Sequence, residues 1–515
     1  MRFSSNRAGD GAVLADLLRA YGILLAEEDR LDGFGFAGGG EDSGSGLPDT
    51  ETAMLRITWA PSFSSLTITW AQKGGACSHA EAVAPAGFQE TEENRRRRTL
   101  RLAFHHLLEK EPGLQGICQA PPSPWGILTG VRPSKMLQRF IDQGLSDEEI
   151  ASILDGDFGI ERSRASLLLQ VGRLQRPFLP RLDEGRDRVS LYLCYPFCPS
   201  RCGYCSFPGY EAGRWRKWRE PCLQAMETEI RQVGKAATDK GFLVETLYFG
   251  GGTPTCMSPS QMDRLLWALQ ESFAFLPGLE WTVEGGRPET LTDEMLGVLA
   301  SHPVNRICIN PQSLNQGTLD RIGRLHRAED TGAAFARVRE TMERENRGDW
   351  RVNCDLILGL PGEGVAEVEK SLSGILAMQP DNVTVHGLAI KRGSAYKDNR
   401  ETLPGRLLGL AMIALSRDML AGAGYLPYYL YRQKDSLAGS ENIGYAQPGK
   451  ECLYNILMIE ERQTILGLGA GAGSKFLRRG EWALENMYNP KDMIQYIHRV
   501  EELISRKVDK LAMVG

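Results

Sequence analysis

From residue 191 onward, short apolar runs alternate with stretches whose apolar positions recur every three or four residues. Strands are expected at 191–195, 246–249, 280–283, 306–309, 352–358 and 383–388. Helices are expected between them, at 217–233, 258–271, 292–300, 331–344 and 365–378. Repeated strand–helix units imply a parallel sheet with right-handed crossovers, and six of them fit an incomplete barrel. In barrels the chemistry sits in the loops after the strand C-termini.

The pattern is different upstream. Residues 12–28 have the spacing of an amphipathic helix, and the glycine- and serine-rich run 38–46 reads as a flexible loop. Segments 55–59 and 66–70 alternate with period two and read as a β-hairpin with one buried face. Four arginines, 95–98, open a helix continued by Leu100, Leu102, Phe104, Leu107 and Leu108. They form either an anion site or a solvated helix face, and the second reading is preferred. His105 and His106 lack ligand spacing and read as structural. Past the prolines at 121–124, Thr129, Arg132 and Lys135 can hold a carboxylate, although a contact between domains ranks first. Ser146-Asp-Glu-Glu149 has the form of a capping box, and a helix is expected at 163–175. The expected division is an N-terminal α+β domain at 1–120, a helical connector at 121–185, the barrel at 186–400 and a C-terminal substrate-side α+β domain at 401–515.

Composition narrows the class. A chain of 515 residues with 42% hydrophobic content suits two to four domains of about 150 residues each. A net charge of -5 gives no pull towards nucleic acid or an acidic membrane. No apolar run is long enough to span a bilayer, and the first residues lack a signal peptide's apolar segment. Eleven cysteines, an odd number in a large chain, fit a reducing, cytoplasmic setting better than a disulfide framework.

The candidate chemistry begins with Cys198-x3-Cys202-x2-Cys205, in the loop after the first expected barrel strand. Structural zinc is closed by four protein ligands, whereas a cubane held by three thiolates leaves one iron open. Cys194 adds a fourth thiol, so a closed zinc site or a saturated cluster is the competing reading. Cys222, Cys256, Cys308, Cys354 and Cys452 read as small buried hydrophobes. Gly250-Gly-Gly-Thr-Pro-Thr255 is neither a dinucleotide fingerprint nor a P-loop. Its glycines let the backbone approach a ligand, and its carbonyls can accept from an ammonium group. Glu284, at a strand end, can bind a ribose diol or pair with Arg287.

Cys-x3-Cys-x2-Cys behind a short apolar strand resembles the radical S-adenosylmethionine (SAM) superfamily. Tyr192…Pro196-Phe197-Cys198…Cys202-Gly203-Tyr204-Cys205 is similar to the oxygen-independent coproporphyrinogen III oxidases and their heme-chaperone relatives. The resemblance covers roughly residues 192–473 and implies an α/β fold, an incomplete (β/α)6 barrel flanked by N- and C-terminal α+β domains. It implies a [4Fe-4S] cluster on Cys198, Cys202 and Cys205 as the catalytic and metal-binding set. It assigns SAM contacts to Tyr192, Tyr204, Gly251, Gly252, Thr253, Glu284, Gln312, Arg324, Asp355 and Ala389. His326 matches the family's Gly-Arg-x-His string but is read as structural, and Cys194 stands where the family usually has a contact histidine. In the implied mechanism one electron from the cluster cleaves SAM, and a 5′-deoxyadenosyl radical takes a hydrogen from a substrate propionate. Loss of CO2 and a second electron leaves a vinyl group; two such steps convert coproporphyrinogen III into protoporphyrinogen IX. The implied partners are that porphyrinogen and a low-potential electron donor of flavodoxin or ferredoxin type.

A substrate with four carboxylates needs cations, and Arg132, Lys391, Arg392 and Arg432 are candidates beside their plain surface readings. The tyrosine-rich run 424–432 can line a flat aromatic ligand or form a buried sheet edge. The chaperone branch carries His-Asn-x-x-Tyr-Trp where this chain has Tyr454-Asn-Ile-Leu-Met-Ile459. The oxidases carry Gly-Cys after the triad, where this chain has Ser206-Phe207. Trp125-Gly-Ile-Leu-Thr-Gly-Val-Arg-Pro133 and Tyr431-Arg-Gln-Lys434 look most like the longer HemZ-like branch, the coproporphyrinogen dehydrogenases. The alternatives are a heme chaperone, a radical SAM enzyme with another substrate and, last, a structural zinc protein.

Overall fold

The computed structural model describes residues 2–5, 54–59, 65–71, 78–83 and 92–110. It also describes 123–514 except 129, 182–183, 208, 399–402, 434–435, 479 and 481. The expectations at 12–28 and 38–46, and Thr129, lie outside the described residues. Two compact units result: residues 1–130 with 139–169, and residues 131–138 with 170–515.

The first unit holds a four-stranded sheet of β1 (Arg2–Ser5), β2 (Met54–Trp59), β3 (Ser65–Ala71) and β4 (Ser78–Val83), in that order. β2 and β3 form the expected antiparallel hairpin, with Ile68 buried. The helix Glu92–Lys110 buries Leu100, Leu102, Phe104, Leu107 and Leu108. The solvated reading of the arginine run fails at Arg98, which is buried. It pairs with Asp157 at 3.4 Å and lies over the Phe158 ring. His105 is buried and pairs with Glu109 at 3.5 Å, a structural role as expected.

The second unit is built on one eleven-stranded sheet. Its barrel strands are β5 (Arg188–Tyr195), β8 (Leu243–Gly251), β9 (Ala274–Glu284), β10 (Arg306–Gln312), β11 (Arg351–Leu358) and β12 (Asn382–Gly387). Two short strands, β6 (Phe197–Cys198) and β7 (Tyr210–Glu211), pair with each other in the first loop. The six barrel strands are parallel neighbours in sequence order. Their crossovers include the helices Arg216–Asp239, Pro259–Ser272, Asp293–Ala300, Ala328–Arg344 and Val365–Ala377. Apolar side chains such as Leu191, Leu247, Val283, Ile307 and Val352 are fully buried, as a sheet covered by helices requires.

The C-terminal strands extend this sheet at both edges. β13 (Leu426–Arg432) and β14 (Glu441–Ala446) join antiparallel beyond β12. β15 (Thr464–Gly469) runs parallel to β5, followed by β16 (Gly473–Leu477) and β17 (Leu484–Tyr488). The tyrosine run is therefore a buried sheet edge: Tyr428 and Tyr429 lie in β13 and are buried. Among the described residues, no helix is long and apolar enough to cross a membrane.

Candidate active site

The strand C-termini collect the polar groups singled out in the sequence. The cysteine loop leaves β5 and is tied down on several sides. Gly203 N donates to Ile322 O at 3.0 Å, and Ser200 Oγ to Gly323 O at 2.7 Å. Arg201 Nη2 donates to Gly393 O at 2.7 Å, and Tyr396 N to Gly203 O at 3.1 Å. Cys198 ends the short β6 rather than lying in open loop, while Cys202 and Cys205 follow in loop. Burial pushes the Cys198 thiol up and that of Cys205 up to about 11. Thr253 Oγ1 donates to Cys198 Sγ at 3.5 Å, and Arg287 Nη2 to Cys202 Sγ at 3.1 Å. The Thr253 contact favours the Cys198 thiolate, which is the form that binds metal.

Among the described residues no three His, Cys, Asp or Glu side chains converge as the ligands of a single metal ion. A cubane places each thiolate on a different iron, so its three sulfurs need not share one coordination sphere. Cys194 is buried within β5, beneath Gly251, where an added Cβ would lie 2.6 Å from its Sγ.

The glycine loop presses its backbone onto β6. Gly252 N donates to Tyr195 O at 2.7 Å and Thr253 N to Phe197 O at 2.7 Å. A Cβ at Gly252 would lie 2.4 Å from Phe197 O. Gly251 has φ +103°, a conformation open to glycine and strained for other residues.

Glu284 is the last residue of β9 and accepts a 2.5 Å hydrogen bond from Tyr248. Burial pushes its carboxyl up to about 7, against the hydrogen bond from Tyr248, and Asp355 adds to the rise. The alternative pairing of Glu284 with Arg287 is not made, because that guanidinium turns to the cysteine loop. Gln312 ends β10 with φ 70°, and its Oε1 is buried without a partner. Arg324 is buried; it donates to Gly286 O at 3.0 Å, to Asn310 O, and to Tyr204 OH at 3.3 Å. Asp355 lies inside β11 rather than after it, 3.7 Å from His386 Nε2. Tyr192 stacks with Tyr248 and Tyr454, and Ala389 bridges to Ser436. His326 is buried 3.6 Å from Glu289, and burial lowers it to about 4.

The substrate cations separate. Arg132 is occupied: with Lys135 and Lys475 it holds the carboxylate of Glu461. The carboxylate that Arg132 and Lys135 can hold is thus one of the chain's own. Lys391, Arg392 and Arg432 line a cavity of about 520 Å³ with Val131, Ile390, Lys397 and Gln433, and Arg432 also faces the Glu441 carboxylate. Its wall adjoins the cysteine loop through the Arg201–Gly393 and Tyr396–Gly203 bonds, and Lys391 feels the Cys205 thiol electrostatically. Sequence reasoning missed Lys397, Tyr248, His386 and the role of Arg287. Their roles come from segments distant in the chain: Lys397 through the cavity it lines, the others through their partners.

The superfamily model described as "Radical SAM superfamily" matches residues 192–373. The Bacillus subtilis oxygen-independent coproporphyrinogen-III oxidase-like protein HemZ is 37% identical over 425 residues, covering 81% of each chain. This chain belongs to the radical SAM superfamily, in the oxygen-independent coproporphyrinogen-III oxidase-like family. A radical SAM chain is also similar to chaperones: the heme chaperone HemW of Lactococcus lactis is 29% identical, over 55% of this chain and 68% of that one. Among solved structures, coproporphyrinogen III oxidase (HemN) from Escherichia coli has a TM-score of 0.49 at 24% identity, covering 64% of this chain and 72% of that chain. Members of the superfamily use SAM and a [4Fe-4S] cluster, and the donor set here fits both. Three thiols stand on one pinned loop. Gln312 Oε1, Asn310 Oδ1 and Arg324 Nε, on residues singled out for the site or packed with them, are buried without partners.

Proposed function

We propose that Cys198, Cys202 and Cys205 hold a [4Fe-4S] cluster, and that SAM binds against the 250–253 loop, Glu284, Gln312, Arg324 and Asp355. The reaction proposed is oxidative decarboxylation of coproporphyrinogen III propionates to vinyl groups. When bound and reduced, the cluster and SAM together supply a radical able to take a hydrogen atom from carbon. The chain's residues position and shield. The glycine carbonyls accept from the SAM ammonium, the Glu284 carboxylate accepts from a ribose hydroxyl, and the aromatic wall of Tyr192, Tyr248 and Tyr454 keeps out water. A propionate that loses a hydrogen atom, CO2 and one electron becomes a vinyl group. A one-electron acceptor takes that electron, and a low-potential donor of flavodoxin or ferredoxin type charges the cluster.

The observation that carries the substrate class is the cavity beside the cysteine loop, lined by Lys391, Arg392, Lys397 and Arg432. Lys391, Arg392 and Lys397 suit a ligand with several carboxylates, because charge-assisted hydrogen bonds are about twice as strong as neutral ones. Tyr454 stands where the chaperone branch carries histidine, and here it packs against Tyr248 with ring centroids 4.7 Å apart.

The test is anaerobic reconstitution with iron and sulfide, followed by reductant and SAM, with and without coproporphyrinogen III. The expected products are 5′-deoxyadenosine and a vinyl-bearing porphyrinogen. No deoxyadenosine in either case rejects the radical reaction, and deoxyadenosine without vinyl product rejects the substrate. Stoichiometric heme binding without turnover would place the chain with the chaperones.

A further inference from the structure

Arg287 is 3% exposed and points at the cysteine loop from behind. Its backbone is fixed first. It precedes the turn Pro288–Thr290, and its carbonyl accepts from Thr290 N at 3.0 Å and from Thr290 Oγ1 at 2.7 Å. Gly285, two residues earlier, sits under Leu291, whose Cδ2 would be 2.6 Å from an added Cβ. The side chain is therefore aimed by a turn with little freedom. Nη2 donates to Ser200 O at 2.8 Å and to Cys202 Sγ at 3.1 Å, and Nη1 is buried without a hydrogen-bond partner.

A buried cation without a counter-charge is costly to keep out of water. Glu284, three residues away, spends its carboxylate on Tyr248 instead. The side chain that Arg287 meets is Cys202, through its sulfur. Arg324 also faces this sulfur, through its charge and a hydrogen bond, but its Nη atoms serve Gly286 O, Asn310 O and Tyr204 OH as well. Arg287 is the guanidinium whose side-chain bonds go to the cysteine loop alone.

Hydrogen bonds to cluster sulfurs and the local charge set a cluster's potential. We propose that Arg287 is a positioning residue that raises the midpoint potential of the cluster through its charged hydrogen bond to Cys202, easing reduction by a one-electron donor. This rests on the cluster reading above. The couple gains one electron from that donor, and no bond is made or broken.

The experiment compares wild type, R287K and R287Q, each reconstituted anaerobically with iron and sulfide. Iron and sulfide content is measured, and the cluster is then titrated potentiometrically without SAM, with the reduced-cluster electron paramagnetic resonance signal as readout. The expected order of midpoints is wild type, then R287K, then R287Q. At the wild-type midpoint the ratio of reduced to oxidised cluster in R287Q should fall about tenfold, which is 59 mV for a one-electron couple. If R287Q does not load, a lowered midpoint in R287K supports the role. A wild-type midpoint in R287K, or loss of the cluster from both variants, overturns it and leaves Arg287 as a clamp on Ser200. A wild type that takes up no iron and sulfide rejects the cluster reading itself, a separate result.

Discussion

Replacing Gly252 by alanine tests how closely the glycine loop and the cysteine strand depend on each other. The backbone of Gly252 is outside the left-handed region, so alanine is not refused by its dihedral angles. The obstacle is space. The new Cβ would lie 2.4, 2.8 and 2.9 Å from Phe197 O, C and N, all backbone atoms of β6. No side chain can turn away, so one strand must move from the other. The move loosens two 2.7 Å bonds, from Gly252 N to Tyr195 O and from Thr253 N to Phe197 O. Overpacking of this kind costs about 1–3 kcal/mol, and each hydrogen bond contributes about 1 kcal/mol. A total of about 3 kcal/mol is expected, concentrated where the loop meets Cys198.

At about 1.4 kcal/mol per decade, that cost corresponds to roughly a hundredfold weaker SAM binding if it falls wholly on the bound geometry. The assay is equilibrium dialysis of SAM against the reconstituted chain, with the denaturant midpoint measured in parallel. Gly297→Ala is the control: it lies in the helix Asp293–Ala300 with nothing within 4 Å of an added Cβ. It should bind SAM as wild type does and be slightly stabilised, by up to about 1 kcal/mol. If G252A binds SAM within about threefold of wild type and unfolds at the same denaturant concentration, the steric reasoning is wrong.

Other outcomes follow from the charges. In the cavity, R392M and K397M should each raise KM for the tetracarboxylate about tenfold, flatten its salt dependence and leave kcat nearly unchanged. An unchanged KM would remove the cavity from the substrate site. Glu284 is raised to about 7, chiefly by burial, so its ionised form is the minor one below that value. A ribose hydroxyl donates to the ionised form, so SAM affinity should rise as pH passes upward through about 7 and then level off, whereas in E284Q it should be flat. A pH-independent wild type would contradict this role. At Glu461 burial raises the carboxyl, but Lys135, Lys475 and Arg132 outweigh it and hold it at about 2. A depressed carboxylate stabilises the fold above its unfolded pKa and loses that contribution as pH falls towards about 2. E461Q should therefore cost about 2 kcal/mol at neutral pH after screening, with the gap to wild type closing below about pH 4 in denaturant titrations.

The barrel strands were legible because their cores are continuous apolar runs, and a strand buried on both faces must read that way. Their ends were less so. β9 begins at Ala274 rather than 280, because a Pro277-Gly278 excursion interrupts the pairing: Val244 faces Phe275, and Thr246 next faces Glu280. The cysteine loop was legible from spacing alone, since its three thiols fall within eight residues. What stayed hidden depends on partners far away in the chain. Arg98 looked solvated because Asp157 is a different segment's contribution. Arg132 looked like a substrate cation because Glu461 lies 329 residues away. The pairing of β15 with β5, Thr464 against Val189, leaves no local signal either.

One strand carries two carboxylates whose surroundings differ. Glu280 and Glu284 lie four apart in β9 and so face the same way. Glu280 accepts from Leu453 N and Tyr454 N at 2.9 Å each and pairs with Arg306 at 3.1 Å. Arg306 in turn donates to Asn353 Oδ1 and Glu451 O at 2.8 Å. That set of bonds ties the start of the helix Leu453–Glu460 to the lower end of the sheet and leaves no acceptor idle. Glu284, four residues further on, accepts from Tyr248 alone among the described residues, and Gln312, Asn310 and Arg324 keep buried atoms unsatisfied. Unsatisfied buried polar groups cost about 1–3 kcal/mol each, so a fold tolerates several together only where something else completes them. Asn310 and Gln312 leave such atoms at the upper end of β10, and the cysteine loop leaves β5 at that same end.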